Sequence, residues 1–235
     1  MREFRRNSFN PGQEISALKS ILHRIRSDGA TARRELNVKS KISRMVQLGL
    51  LLGIVVVLQC YLGNIVVGAT SFSVVLVPIV VGGILLGPGA GAFLGFAFGL
   101  VVLIRGMTGQ DAFTNMLFTA QPLFTVVICL VKGMAAGWAS GMVYRVLESM
   151  NVTVASFAAA AAAPIVNTGL FILGGLTLVR KTLAANLDAF GADSVLIFLV
   201  VGCAGVNFLV EFGVNMILAP GINRVIRVIK QKTYR

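Results

Sequence analysis

The chain has 235 residues, 56% of them hydrophobic and only 13% charged, with a mean hydropathy of +0.85. Soluble domains carry about 25% charged residues, and residues 45–104 here contain no Asp, Glu, Lys or Arg. So long an uncharged stretch cannot be a wetted surface, and it is too long for one ~20-residue span. A soluble globular protein is excluded.

The net charge of +12 would suit nucleic acid, but its placement does not. Of the 21 Lys and Arg residues, 11 lie in residues 1–44 and 5 in residues 224–235. Basic residues gathered beside apolar spans follow the positive-inside rule, and they suit contact with anionic headgroups of the lipid membrane. No base-reading motif is present, so no nucleic-acid partner is expected.

In chain order, residues 1–44 read as a basic cytoplasmic extension. Within it Ile15, Leu18, Ile21, Leu22 and Ile25 recur at helical spacing, which predicts an amphipathic helix on the membrane surface. The extension is polar for some 40 residues before any apolar run, so no cleavable signal peptide is expected. Residues 45–223 carry six apolar spans: about Met45–Gly63, Phe72–Leu86, Ala90–Ile104, Thr119–Tyr144, Val152–Thr177 and Ser194–Pro220. The second and third look short, near 15 residues each, and are parted by Gly87-Pro88-Gly89. Residues 224–235 form a basic cytoplasmic tail. Six spans between two basic ends predict an all-α integral membrane bundle with both termini inside. The longer connections, around 61–71, 105–118 and 178–193, then face outward and could cap a site.

Small residues mark packing faces. Gly91, Gly95 and Gly99 form a stripe on the third span, read as packing inside the bundle, and Gly49 and Gly53 form one on the first. The latter suits either the bundle or contact with another protein.

Lys132 and Glu211 are the charges well inside the spans, each costing about 2.5–3.5 kcal/mol at a helix centre. Each lies 13 residues before the arginine at the end of its span, Arg145 and Arg224. The matched depth allows a buried ion pair if those helices touch; a substrate or proton role is the alternative. Asn167, Asn207, Asn215 and Gln121 are amides in apolar surroundings and need partners from helices or a ligand. Asn167 follows Pro164, whose missing N–H frees a carbonyl one turn earlier, an irregularity that solute sites use. Arg105, Arg180 and Lys181, near the outer ends, could attract a carboxylate. Phe113, Phe118, Phe171 and Phe208 could stack a ring.

Several chemistries are missing. There is no GxxxxGK[ST] loop, so ATP hydrolysis by that mechanism is excluded. The one histidine, His23, lies in the extension, and Cys60, Cys129 and Cys203 lack metal-ligand spacing. No metal, no cofactor and no catalysis are expected.

A family resemblance emerges from five segments in order. They are Val77-Pro78-Ile79 with Gly82-Gly83-Ile84-Leu85-Leu86-Gly87-Pro88-Gly89-Ala90-Gly91; Lys132-Gly133 with Ala136-Gly137; Tyr144-Arg145; Pro164-Ile165-Val166-Asn167-Thr168-Gly169; and Glu211-Phe212-Gly213-Val214-Asn215 with Leu218-Ala219-Pro220. Over about residues 45–228 the chain resembles substrate-binding S components of energy-coupling factor (ECF) transporters. The resemblance implies a six-helix subunit that binds a water-soluble vitamin or related micronutrient. Its partners would be an ECF transmembrane coupling protein, docked at Gly49 and Gly53, and two ATP-binding subunits. It implies a substrate site toward the outer side containing Gln121, Asn167 and Asn207, to which Lys132, Glu211 and Arg105 are added from the reading above. The long N-terminal extension departs from the family pattern. A self-sufficient secondary transporter or channel, and a membrane scaffold, are the alternatives.

Overall fold

A computed structural model describes residues 38, 40–61, 66–67, 70–71, 74–188 and 191–233. The amphipathic helix expected over Ile15–Ile25 lies outside them. The chain falls into two units, Met1–Val46 and Gln47–Arg235; of the first, only the beginning of the first helix is described.

Helix α1 spans Ser40–Tyr61. A two-residue antiparallel ladder, β1 (Val66–Val67) with β2 (Thr70–Ser71), follows it. Then come α2 (Leu76–Leu86), α3 (Pro88–Met107), α4 (Ala112–Ala120), α5 (Pro122–Leu147), α6 (Val152–Thr177) and α7 (Arg180–Ala185). The last span opens with α8 (Val195–Ile197), passes through a π-helical stretch, Phe198–Gly205, and continues as α9 (Val206–Thr233). Among the described residues, five helices are long and apolar enough to cross a membrane, and α2 is a shorter apolar one.

The two spans expected to be short differ from each other. α3 is full length at 20 residues, whereas α2 has 11 and reaches only ~16 Å at 1.5 Å per residue. Gly87 divides them at φ 101°, a conformation that glycine adopts without strain, and Pro88 opens α3 at its first position, where no N–H is needed. α9 runs on beyond the expected end at Pro220 to Thr233, carrying that proline within the helix.

Apolar residues lie on the outside as well as inside, as a lipid-facing bundle requires. On α3 the exposed positions Phe93, Phe96, Leu100 and Ile104 recur every three or four residues. The face behind them is nearly bare. A Cβ at Gly91 would strike the Gly137 carbonyl, one at Gly95 that of Gly133, and one at Gly99 that of Cys129. The pairing runs antiparallel, so the glycines of α3 and α5 let two backbones meet directly. The stripe expected to pack inside the bundle does so.

α6 packs against both α5 and α9. Ala155, Ala159, Ala160 and Ala163 of α6 join Val80, Tyr144 and Ala219 in one buried cluster. A second cluster links Phe113 and Leu117 of α4 with Val179, Leu183, Phe198 and Leu199, so the helical connections α4 and α7 close one end of the bundle.

A polar cavity beneath the helical connections

Polar residues of α5, α6 and α9 meet in a cavity of about 70 Å³. α5 supplies Lys132, α6 supplies Asn167, Thr168 and Phe171, and α9 supplies Asn207 and Glu211. Helical periodicity explains the choice: Asn167 with Phe171, and Asn207 with Glu211, are four apart and share a face. The π-helical stretch just before Asn207 contributes Cys203 and Ala204; wide turns of this kind are frequent at functional sites.

Glu211 is 1% exposed. Its Oε1 accepts a hydrogen bond from Asn207 Nδ2 at 3.3 Å, and its backbone carbonyl accepts one from Asn215 Nδ2 at 2.7 Å. Oε2 of Glu211 and Oδ1 of Asn207 and of Asn167 are buried with no hydrogen-bond partner in the protein. An unmet buried polar atom costs about 1–3 kcal/mol, and three of them border this one cavity.

Lys132 places its ammonium 5.1 Å from the centre of the Phe171 ring, a cation–π arrangement. Phe171 in turn meets Phe113 with ring centres 6.0 Å apart. The expected Lys132–Glu211 ion pair does not form: among the described residues no such contact lies within 4.0 Å, and Lys132 faces Phe171 instead. The reason is azimuthal. Equal depth placed both charges at the cavity, but α6 packs on both helices and sets its Phe171 beside the ammonium.

The remaining expected contacts lie elsewhere. Arg105 is buried at the end of α3, where its Nη1 donates to the carbonyls of Gln59 at 3.3 Å and Cys60 at 3.0 Å. Those are final carbonyls of α1, which a helix leaves without internal donors and which attract a cation. Gln121 is the junction between α4 and α5, its N–H bonded to Leu117 O and its carbonyl accepting from Thr125 Oγ1 at 2.9 Å. Neither lines the cavity. Arg180 and Lys181 are exposed on α7. Of the candidate aromatic residues, Phe113 and Phe171 line the cavity, while Phe208 pairs with Phe212.

Sequence reasoning missed Gln59, Phe98 and Asp111 in the lining. Asp111 did carry a signal, as the only acidic residue between Glu35 and Glu148. Its Oδ1 accepts from Thr114 N at 2.9 Å and caps α4, which sets that helix over the cavity.

A family model described as the substrate-specific component of ECF transporters matches residues 43–223. The chain belongs to this family. No curated protein and no solved structure matches it. As an S component it is a membrane-embedded, substrate-binding transporter subunit, which is what the five ordered segments implied. Gly49 and Gly53 of this S component lie on a face of α1 where a Cβ would meet nothing within 4 Å. α1 buries Leu51, Val55 and Gln59 toward the bundle, and leaves Leu50, Ile54 and Val57 exposed.

Proposed function

We propose that this S component binds a water-soluble vitamin or related micronutrient with high affinity in the cell membrane, for uptake energised by a separate ECF module. That module would comprise a transmembrane coupling protein and two ATP-binding subunits. One observation carries the reading: within an apolar bundle, Asn167, Asn207, Glu211 and Lys132 converge on one cavity with three acceptors unmet. An engineered apolar cavity of ~150 Å³ admits benzene, so a vitamin-sized ligand enters the present 70 Å³ only as lining side chains shift.

The open face of α1 at Gly49 and Gly53 supports docking of the coupling protein. The basic segments, residues 1–44 and 224–235, are assigned to the cytoplasmic side, flanking a substrate-binding domain over residues 45–223. With no phosphate-binding loop in the sequence, ATP hydrolysis falls to the partner subunits.

A second reading is a self-sufficient secondary transporter. It draws on half-buried Asn207 and buried Glu211, Asn215 and Asn223, spaced along α9 in multiples of four, a polar file running from the cavity toward the basic tail. Reconstitution separates the two. Alone in liposomes with a mixture of water-soluble vitamins, the protein should bind one of them and accumulate none, and addition of an ECF module with ATP should start accumulation. Accumulation driven by a proton or sodium gradient, without the module, would replace the first reading with the second.

A further inference from the structure

The geometry points to a substrate that presents N–H donors or a cationic nitrogen to Glu211 and Asn207 and carries no net negative charge, an inference that rests on the cavity being the S component's substrate site. The lining holds two carboxylates, Asp111 and Glu211, against one ammonium, Lys132. The fully buried unmet atoms of the lining are acceptors, Oε2 of Glu211 and Oδ1 of Asn207 and Asn167, while its one ammonium, Lys132, lies against the Phe171 ring. At Asn207 one N–H of the amide serves Oε1 of Glu211, and the carbonyl oxygen is the atom left buried without a partner.

A bound carboxylate would bring a like charge to Glu211 in a dry pocket, where repulsion is weakly screened. The cations that could neutralise such an anion are committed or distant. Arg105 holds the end of α1, and Arg180 and Lys181 are exposed on α7. Lys132 is the one cation in the lining, and its position against Phe171 leaves it to meet an acceptor on the far side of the same ligand. The favoured ligand is thus a flat, donor-bearing nitrogen compound, bonded to Glu211 and Asn207 at one edge and lying against Phe113 and Phe171. An organic acid held by basic residues is disfavoured.

Three compounds of one shape test this on the purified full-length protein: benzamidinium, benzamide and benzoate, each titrated by its effect on the thermal unfolding midpoint. Benzamidinium should stabilise most, benzamide less, and benzoate not at all. Glu211→Gln should weaken benzamidinium at least about tenfold, the loss of one charge-assisted hydrogen bond. Lys132→Met, which removes the competing positive charge, should strengthen it severalfold. Should Glu211→Gln fail to fold, Asn167→Ala supplies the second case, since it removes another of the unmet acceptors and should weaken benzamidinium severalfold. Stabilisation by benzoate that Lys132→Met abolishes would overturn the inference, as would the absence of stabilisation by all three. Either result leaves intact the assignment to an ECF transporter, which is tested by association with the coupling protein and ATPases. Loss of that association with the order of the three compounds preserved would sink the transporter reading alone.

Discussion

Asn207 gives its side-chain N–H to Oε1 of Glu211, one turn further along α9, at 3.3 Å, so that Oδ1 of one and Oε2 of the other stay without a protein partner. The two residues act as one unit: the amide holds the carboxylate, and each keeps one acceptor unmet. Asn207→Leu should remove the hold and leave a buried carboxylate with neither oxygen bonded by a side chain. A stability loss of about 1–3 kcal/mol is expected, measured by thermal unfolding in detergent without ligand. An unchanged melting point would show that Glu211 does not depend on the amide.

Arg105 joins α3 to the end of α1 through two carbonyls, at 3.0 and 3.3 Å. Arg105→Met should release that end and cost about 1.5–3 kcal/mol for each charge-assisted bond. Cys60 is exposed and supplies one of the carbonyls, so its labelling rate with a maleimide should rise in the same variant. Arg105→Lys should recover only part of the loss, because an ammonium lacks the planar fork. Weakened ligand binding with unchanged stability and labelling would return Arg105 to the substrate site.

Two glycine pairs should respond in opposite ways. Gly95 faces the carbonyl of Gly133, and backbone cannot yield as a flexible side chain does. Gly95→Leu should therefore cost at least ~3 kcal/mol or prevent folding. Around Gly53 nothing lies within 4 Å of a Cβ, and Gly53→Leu should leave the isolated subunit's stability within about 0.5 kcal/mol. Pull-down of a coupling protein should nonetheless fall with Gly53→Leu. Lost ligand binding with retained assembly would assign that face to the bundle instead.

The placement of 16 basic residues in residues 1–44 and 224–235 (11 and 5 of the 21) predicts that both ends lie on the cytoplasmic side. Cysteines introduced by Ala30→Cys or Lys230→Cys should resist an impermeant maleimide in intact cells and react after lysis. Labelling from outside at either position would reverse the topology.

The bundle and most of its polar centre were legible in the sequence because both rest on composition over many residues. A polar residue inside an apolar helix is costly, so Lys132, Asn167, Asn207 and Glu211 announced themselves, and the fold brings all four to one cavity. Position along a helix, however, gives depth and not azimuth. Matched depth allows a Lys132–Glu211 pair, but α6 packs on both of their helices and sets Phe171 beside the ammonium. Arg105 and Gln121 resembled site residues because they sit at helix ends, where polar groups serve carbonyls and N–H groups freed by the helices themselves. Asp111 and Gln59 reach the cavity through a connection and a helix end, whose course no periodicity describes. The π-helical stretch Phe198–Gly205 has no residue signature beyond Gly202 and Gly205.

The central claim is that this S component holds a small molecule and works with a separate motor. Mass spectrometry of the tagged full-length protein released from native membrane tests it most directly. The account predicts one bound small molecule without net negative charge, accompanied by a membrane coupling protein and two ATPases, with the small molecule lost in Glu211→Gln. Recovery of the protein with neither small molecule nor ATPases, or with proteins that are not a transport motor, would contradict it.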